Sequence, residues 1–511
     1  MPVHKLIFFL LVLFSPLSYA QMNFCTDDLN QQVVQAGGRE KPLYVLANET
    51  IKFMTGKSKI EDMSATVAFC KLTLSAFGMP LSFEVPIKVE HVDAKKLLGM
   101  NEDETTIGVN VFNAKSADLE NEISTLKENN SYKKELNKVR SRLLTYRAVV
   151  EARAWTVPIE KEGKIDFIPI AEFLTESRVK EASTKTDNPV NYLFHEALQT
   201  YQKIKGTDYL IELNYYKWDL FTWAMIISII SMGLLIGLKN KVPGLVFTFI
   251  SIGLQVTSMT MRVLISGRAP ITNMYETVMF SGFGALILAL IITAYRKDFT
   301  FIIAGLAYNI LSLMMMRFAE GMLDEGISPL VPVLRDNFWL STHVTTIILS
   351  YGALALSWIL SNALLIRARF FEVSSAEYRY QVDLIYSAIK YGIVLLAAGI
   401  ILGGVWADYS WGRFWGWDPK ETWSLIVLLF YMAILHGKYT NWFTPHLFVL
   451  TTAAAFMSVM MAWFGVNYIL ASGLHSYGFS EGGAIFLGSF FAIQTALLIL
   501  CAVKKPTTAA Q

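Results

Sequence analysis

Residues 411–423 read WGRFWGWDPKETW and lie between two long apolar runs. Four tryptophans fall in these thirteen residues, with Arg413 and Lys420 set against Asp418 and Glu421. A turn that only joined two helices has no use for so much aromatic surface. Tryptophan offers a wide apolar face and one indole donor, so the loop suits a flat, apolar, partly charged ligand. An aromatic belt at a membrane interface accounts for one or two of these rings. It does not account for the glycines of WGxxWGWD, which permit close backbone approach to a bound object. Part of the stretch is helix-start grammar. Asp418 suits an N-cap, Pro419 a first turn and Glu421 the matching capping-box position. Asp418 therefore reads as a cap first and a functional group second.

The apolar runs on either side set the fold class. The chain has 511 residues, 53% hydrophobic and 17% charged, which is apolar for a soluble protein. Two unlike halves produce that average. Residues 21–216 are mixed and polar; from Trp218 onward, runs of membrane-spanning length follow one another. Nine spans are expected, at 218–238, 243–266, 273–295, 299–318, 339–366, 386–406, 421–440, 445–469 and 484–503. Arg262 and Arg317, near span ends, are expected to reach the interface. The expectation is a polytopic all-α membrane protein of about nine transmembrane helices, with an exported, mostly α soluble domain ahead of them. Its parts are a signal peptide (1–20), the exported domain (21–216), a transmembrane domain (217–505) and a cytoplasmic tail (506–511). A net charge of +2 without a basic cluster gives no footprint for nucleic acid.

The signal reading rests on Lys5, the apolar core LIFFLLVLF and the small-residue site Ser18-Tyr19-Ala20. An uncleaved anchor is the alternative; both export residues 21–216. Threading nine spans from that start puts ten loop or boundary Lys and Arg inside, among them Lys239, Arg296, Arg367 and Lys438. Five fall outside: Arg268, Arg317, Arg335, Arg413 and Lys420. The bias agrees with the positive-inside rule and places the tryptophan loop on the outer face. In the exported domain, helices are expected over 114–154, with a break at Asn129-Asn130-Ser131, and over 169–204, with a break at Asp187-Asn188-Pro189. Residues 81–92 alternate like a strand. Cys25 and Cys70 share that domain, where a disulfide can survive; sequence alone gives no distance between them. No CxxCH occurs, so the chain has no c-type heme attachment site of its own.

Four histidines accompany the membrane half. His343 and His475 fall at the outer side, and His436 and His446 toward the inner side. Each alone is ordinary helix packing. Together, the two outer histidines flank the tryptophan loop and share its face. Two imidazoles can take both axial positions of a heme iron, and Arg413 or Lys420 can meet its propionates.

Trp411–Trp423 resembles the tryptophan-rich WWD signature of heme-handling proteins of cytochrome c biogenesis. Its DPKETW ending is closer to the CcsA (ResC) branch than to the CcmC or CcmF branches. APITNMYETVMF (269–280), WLSTHVTTIILSY (339–351) and GLHSYG (473–478) resemble further segments of that branch. The resemblance covers residues 218–503. It implies that His343 and His475 are axial ligands of heme iron, and that Trp411, Trp415, Trp417 and Asp418 line the site with Arg413 nearby. It implies that His436 helps bind heme on its way outward. The implied activity is cytochrome c maturation in a bacterial cytoplasmic membrane, as a component of a cytochrome c heme lyase. Heme b, bound transiently and without covalent bonds, is relayed to the outer face for thioether attachment to the CxxCH of apocytochrome c, with thiol reductants keeping the cysteines reduced. The family's second transmembrane histidine lies in a CcsB/ResB-like partner, whose spans this sequence lacks; His446 is a weaker substitute. Two other readings use the same residues: a membrane b-type cytochrome for electron transfer, and a solute transporter with an aromatic gate. A fourth treats the chain as an assembly scaffold, its exported domain holding a partner.

Overall fold

The computed structural model describes residues 24–127, 131–319, 321–329, 336–470 and 483–503. The expected leader at 1–20, His475 and the tail at 506–511 lie outside them. The chain divides into two units, Met1–Lys217 and Trp218–Gln511.

Helices dominate the first unit, punctuated among its described residues by four two-stranded antiparallel sheets. Turn chemistry explains two of these hairpins. Val33–Ala36 pairs with Arg39–Pro42 around Gly37 and Gly38, and Thr156–Lys161 pairs with Lys164–Pro169 around Glu162 and Gly163. All four turn residues have positive φ, as a two-residue turn matched to strand twist requires. The strand expected over 81–92 shrinks to Pro86–Lys88, and Val92 opens the helix Val92–Leu98 instead. The expected helical stretches appear as Ser116–Thr125 and Ser131–Val150, then Ile170–Phe173, Glu176–Ser183 and Pro189–Lys205.

The core of this unit is aromatic. Trp155, 1% exposed, packs against Phe69 and Phe194 at ring distances of 6.0 and 5.1 Å. Cys25 and Cys70 belong to the same core and form a disulfide, with Cα atoms 5.6 Å apart. The bond closes a sequence separation of 45 residues. Replacing both cysteines with serine is expected to destabilise this unit by about 2–5 kcal/mol. Limited proteolysis of the full chain, with and without reductant, reads that loss; equal protection in both conditions would refute it.

Nine helices among the described residues are long and apolar enough to cross a membrane, matching the expected number. In the second unit they are α1 (Leu220–Gly237), α2 (Val242–Ser266), α3 (Met274–Arg296), α4 (Thr300–Phe318), α5 (Asn337–Phe370), α6 (Ser375–Trp411), α7 (Pro419–Tyr439), α8 (Pro445–Leu470) and α9 (Gly483–Leu500). α6 is longer than its apolar run. Its 37 residues reach about 55 Å at 1.5 Å per residue, against a hydrocarbon core of about 30 Å. The extra turns carry Glu377, Arg379 and Asp383.

α5 sits at the centre, against α3, α4, α6 and α8. Its buried Ser350, Gly352, Ala353, Ser357 and Ser361 keep its surface low. A Cβ on Gly352 would stand 3.1 Å from the Ser281 carbonyl oxygen, so glycine lets α3 and α5 pack closely there. Close packing and polar pairs hold helices together in lipid. A polar pair joins α2 to α4, where Gln255 and Asn309 exchange amide hydrogen bonds of 3.2 and 2.9 Å.

Arg262 does not reach an interface, contrary to the sequence expectation. It is fully buried at the end of α2 and pairs with Glu276 of α3, with Nε 2.7 Å from Oε1. Glu276 Oε2 accepts from the backbone and the hydroxyl of Thr272, each at 2.7 Å. Arg262 also donates to the Glu325 carbonyl at 2.9 Å. A buried charge needs a partner of this kind, and here the pair fastens residues 271–276, which form a wall of the site below.

Candidate functional site

One end of the helical unit holds a cleft of about 1210 Å³, open mouth included. Five parts of the chain supply its walls. Residues 271–274 come from the segment leading into α3 and its first residue, His343 and Tyr351 from α5, Trp406 and Trp411 from α6, and Trp415 and Lys420 from the loop and start of α7. Trp463 and Asn467 close it from the end of α8. Two stretches of wall are π-helical, Leu340–Val344 around His343 and Met461–Leu470 around Trp463. Such wide turns are rare and concentrate at functional sites.

His343 is held in a defined orientation. Its Nδ1 lies 2.9 Å from the Gly399 carbonyl oxygen of α6. A carbonyl only accepts, so in the neutral ring Nδ1 carries the proton and Nε2 the lone pair. A backbone acceptor on the far nitrogen is how proteins orient a ligating histidine. The α6 face beneath it carries glycines that make room for these side chains. A Cβ on Gly399 would stand 2.6 Å from Ile347 Cδ1, and one on Gly403 2.6 Å from the His343 ring. Gly403→Ala is expected to displace the ring while leaving the fold intact. The check is any bound chromophore's absorption beside thermal stability: an unshifted spectrum would show that the ring does not need that shelf.

The tryptophan loop divides its roles. Trp411 and Trp415 line the cleft, whereas Trp417 is 69% exposed and meets Trp415 edge-on at 5.8 Å. Asp418 is a buried cap whose carboxylate accepts from the Lys420 backbone at 3.0 Å, and Glu421 completes the capping box. Arg413 does not line the cleft; it lies 3.4 Å from Glu421. Two glycines have roles in the loop itself. Gly412 ends α6 with φ of 70°. Gly416 is where the Arg413 guanidinium packs, since a Cβ there would fall 1.5 Å from it, and its N–H donates to Glu421 at 2.7 Å.

His436 lies near the other end of α7, exposed, with Nδ1 2.8 Å from the Met432 carbonyl. Seventeen residues of helix separate it from Pro419, about 25 Å of rise. His446 has both nitrogens engaged: Nδ1 with the Tyr378 hydroxyl at 2.9 Å, Nε2 with the Cys501 and Ala502 carbonyls at 3.1 and 3.0 Å. That makes it a structural residue and a poor substitute ligand. Trp406, Tyr351 and Trp463 were hidden from sequence reading inside apolar spans. The Gly403-Gly404 pair just before Trp406 was the available signal.

A family model described as "Cytochrome C assembly protein" matches residues 271–475, which include most of the cleft. CcsA, the cytochrome c biogenesis protein of Guillardia theta, is 32% identical over 51% of this chain and 98% of its own length. CcsA of Chlamydomonas reinhardtii is 34% identical over 48% of this chain and 71% of its own. The chain belongs to the CcsA-type cytochrome c biogenesis family. Protein NrfI of Wolinella succinogenes is 29% identical over 87% of this chain. That share exceeds the helical unit, so the likeness extends into residues before Trp218. The chain spans about half, 54%, of NrfI's length. In this CcsA-type chain, the segment holding His343, the tryptophan loop and the wall at 271–274 all fall inside the matched region.

Proposed function

We propose that the chain presents heme at the cleft for thioether attachment to the CxxCH of an apocytochrome c. The observation that carries this reading is His343, oriented by Gly399, in one cleft with Trp411 and Trp415. The cleft fits the cargo: its rings are apolar and wide, His343 is oriented through Nδ1 by the Gly399 carbonyl, and Lys420 supplies positive charge beside Glu421, which Arg413 offsets. Heme b supplies two vinyl groups, and each cysteine adds across one, its sulfur bonding one carbon and its proton ending on the other. The reaction is a net addition and needs no outside oxidant. The chain's residues hold, orient and shield the reactants, which is how positioning lowers such a barrier. His343 and His475 are the axial ligands. Displacement of one of them by the histidine of CxxCH releases the product.

His436 is the inner station, and a CcsB/ResB-like partner supplies the ligand opposite it. Its exposed place on α7, a helix whose apolar face is little covered within this chain, leaves room for that partner. The cleft faces outward across a bacterial cytoplasmic membrane, with residues 21–216 exported. The positive-inside bias supports this orientation, and so does the disulfide, which persists in oxidising compartments.

The test is maturation of a CxxCH cytochrome in a host stripped of its own system, with the chain and a CcsB-like partner supplied. Covalent heme on the cytochrome is expected with the native chain and absent with His475→Ala. Normal maturation by that variant would remove His475 from the ligand set. His436→Ala is expected to lower heme content in the purified chain at least tenfold; unchanged content would dismiss the inner station.

A further inference from the structure

Tyr351 lines the cleft and is the farthest of the α5 wall residues from the start of that helix. Its ring is 5% exposed and is fixed against Trp463 at 5.6 Å. Its hydroxyl has no hydrogen-bond partner among the described residues, yet it is not enclosed, whereas the Trp406 indole nitrogen is. α5 is surrounded by α3, α4, α6 and α8, so the surface that this oxygen keeps opens on the cleft. Other side-chain donors on the wall are already spent within the protein: Thr272 on Glu276, Thr277 on the Met274 carbonyl, Ser424 on the Glu421 carbonyl, Trp463 on the Thr277 hydroxyl and Asn467 on the Trp463 carbonyl. A buried tyrosine normally finds a partner for its hydroxyl. Phenylalanine would fill this wall equally well, so the hydroxyl is set for an acceptor that arrives with the ligand.

On the reading above, that ligand is heme. The four pyrrole nitrogens of a heme are taken by iron, and its methyl and vinyl groups accept nothing, so the two propionates are its acceptors. Vinyls and propionates lie on opposite edges of the macrocycle. The cysteines of CxxCH come to the mouth of the cleft, so the vinyl edge must face outward and the propionate edge inward. Tyr351 is eight residues beyond His343, about 12 Å of rise along the helix. That is the scale of a porphyrin from its iron to the ends of its propionates. We infer that Tyr351 is a binding residue for a heme propionate, donating its hydroxyl hydrogen to the carboxyl group at the inner end of the cleft. The contact sets which edge of the macrocycle enters first and leaves both vinyl groups toward the incoming thiols.

The test pairs a change in the protein with a change in the ligand. Ferrous mesoporphyrin IX keeps both propionates; ferrous etioporphyrin III has ethyl groups in their place. Each is titrated into the purified full chain and its Tyr351→Phe variant, followed by absorption. A hydrogen bond to a charged group sets the scale: Tyr351→Phe is expected to weaken the mesoporphyrin about tenfold and the etioporphyrin less than about twofold. Equal weakening of both, or of neither, would overturn the propionate contact. If Tyr351→Phe fails to fold, 4-fluorophenylalanine at 351 keeps the side chain's length and removes the donor, with the same outcomes decisive. A native chain that binds neither porphyrin would refute the heme reading itself, a different result from equal weakening.

Discussion

Alanine in place of His343 is expected to cut the heme content of the purified chain at least tenfold and to abolish holocytochrome formation. The side chain is half-buried on a π-helical turn at the cleft wall, so its truncation costs the fold only about 1 kcal/mol. Binding carries the larger effect. Even the groups that merely orient a ligating histidine change metal affinity by about 10–100-fold, and removing the ligand itself costs at least as much. The diagnostic pattern is therefore lost heme with retained thermal stability. Full heme content with a normal spectrum would take His343 out of the coordination sphere.

The second large effect concerns the wall rather than the ligand. Glu276→Ala leaves the Arg262 guanidinium, fully buried, without its carboxylate. Breaking a buried pair on one side costs about 3–5 kcal/mol. The damage should spread to the cleft, because Glu276 also holds Thr272, and Arg262 also holds the Glu325 carbonyl. Thermal unfolding in detergent reads the loss directly. Replacing both residues with methionine is expected to recover much of it, since a buried pair exchanged for apolar packing is often neutral. A single variant within about 1 kcal/mol of the native chain would show that the pair is not what fastens residues 271–276.

The spans were legible because lipid demands long apolar runs, and that demand is written into composition alone. The cap of α7 was legible because Asp418, Pro419 and Glu421 meet a local requirement for satisfying the first N–H groups. What escaped was what depends on distance in space. Arg262 looked like an interfacial charge because its partner sits fourteen residues away, past a turn. The extra turns of α6 were missed because polar helix beyond the bilayer has no apolar signature. The hairpins at 33–42 and 156–169 escaped as well, because their strands are too brief for alternation to register. The site divides the same way. Trp411 and Trp415 stood out in a polar loop, whereas Trp406 and Trp463 blended into spans where aromatic residues are common. The glycines of the tryptophan loop stood out in the sequence, but their local roles, at a helix end and against the Arg413 guanidinium, depend on geometry.

The most direct measurement is the visible spectrum of the native full chain, purified in detergent and reduced with dithionite. The expected result is a low-spin, six-coordinate ferrous heme that acid and organic solvent extract, marking it as non-covalent. A chain that carries no heme, even when produced together with a CcsB-like partner, would contradict heme presentation at this cleft.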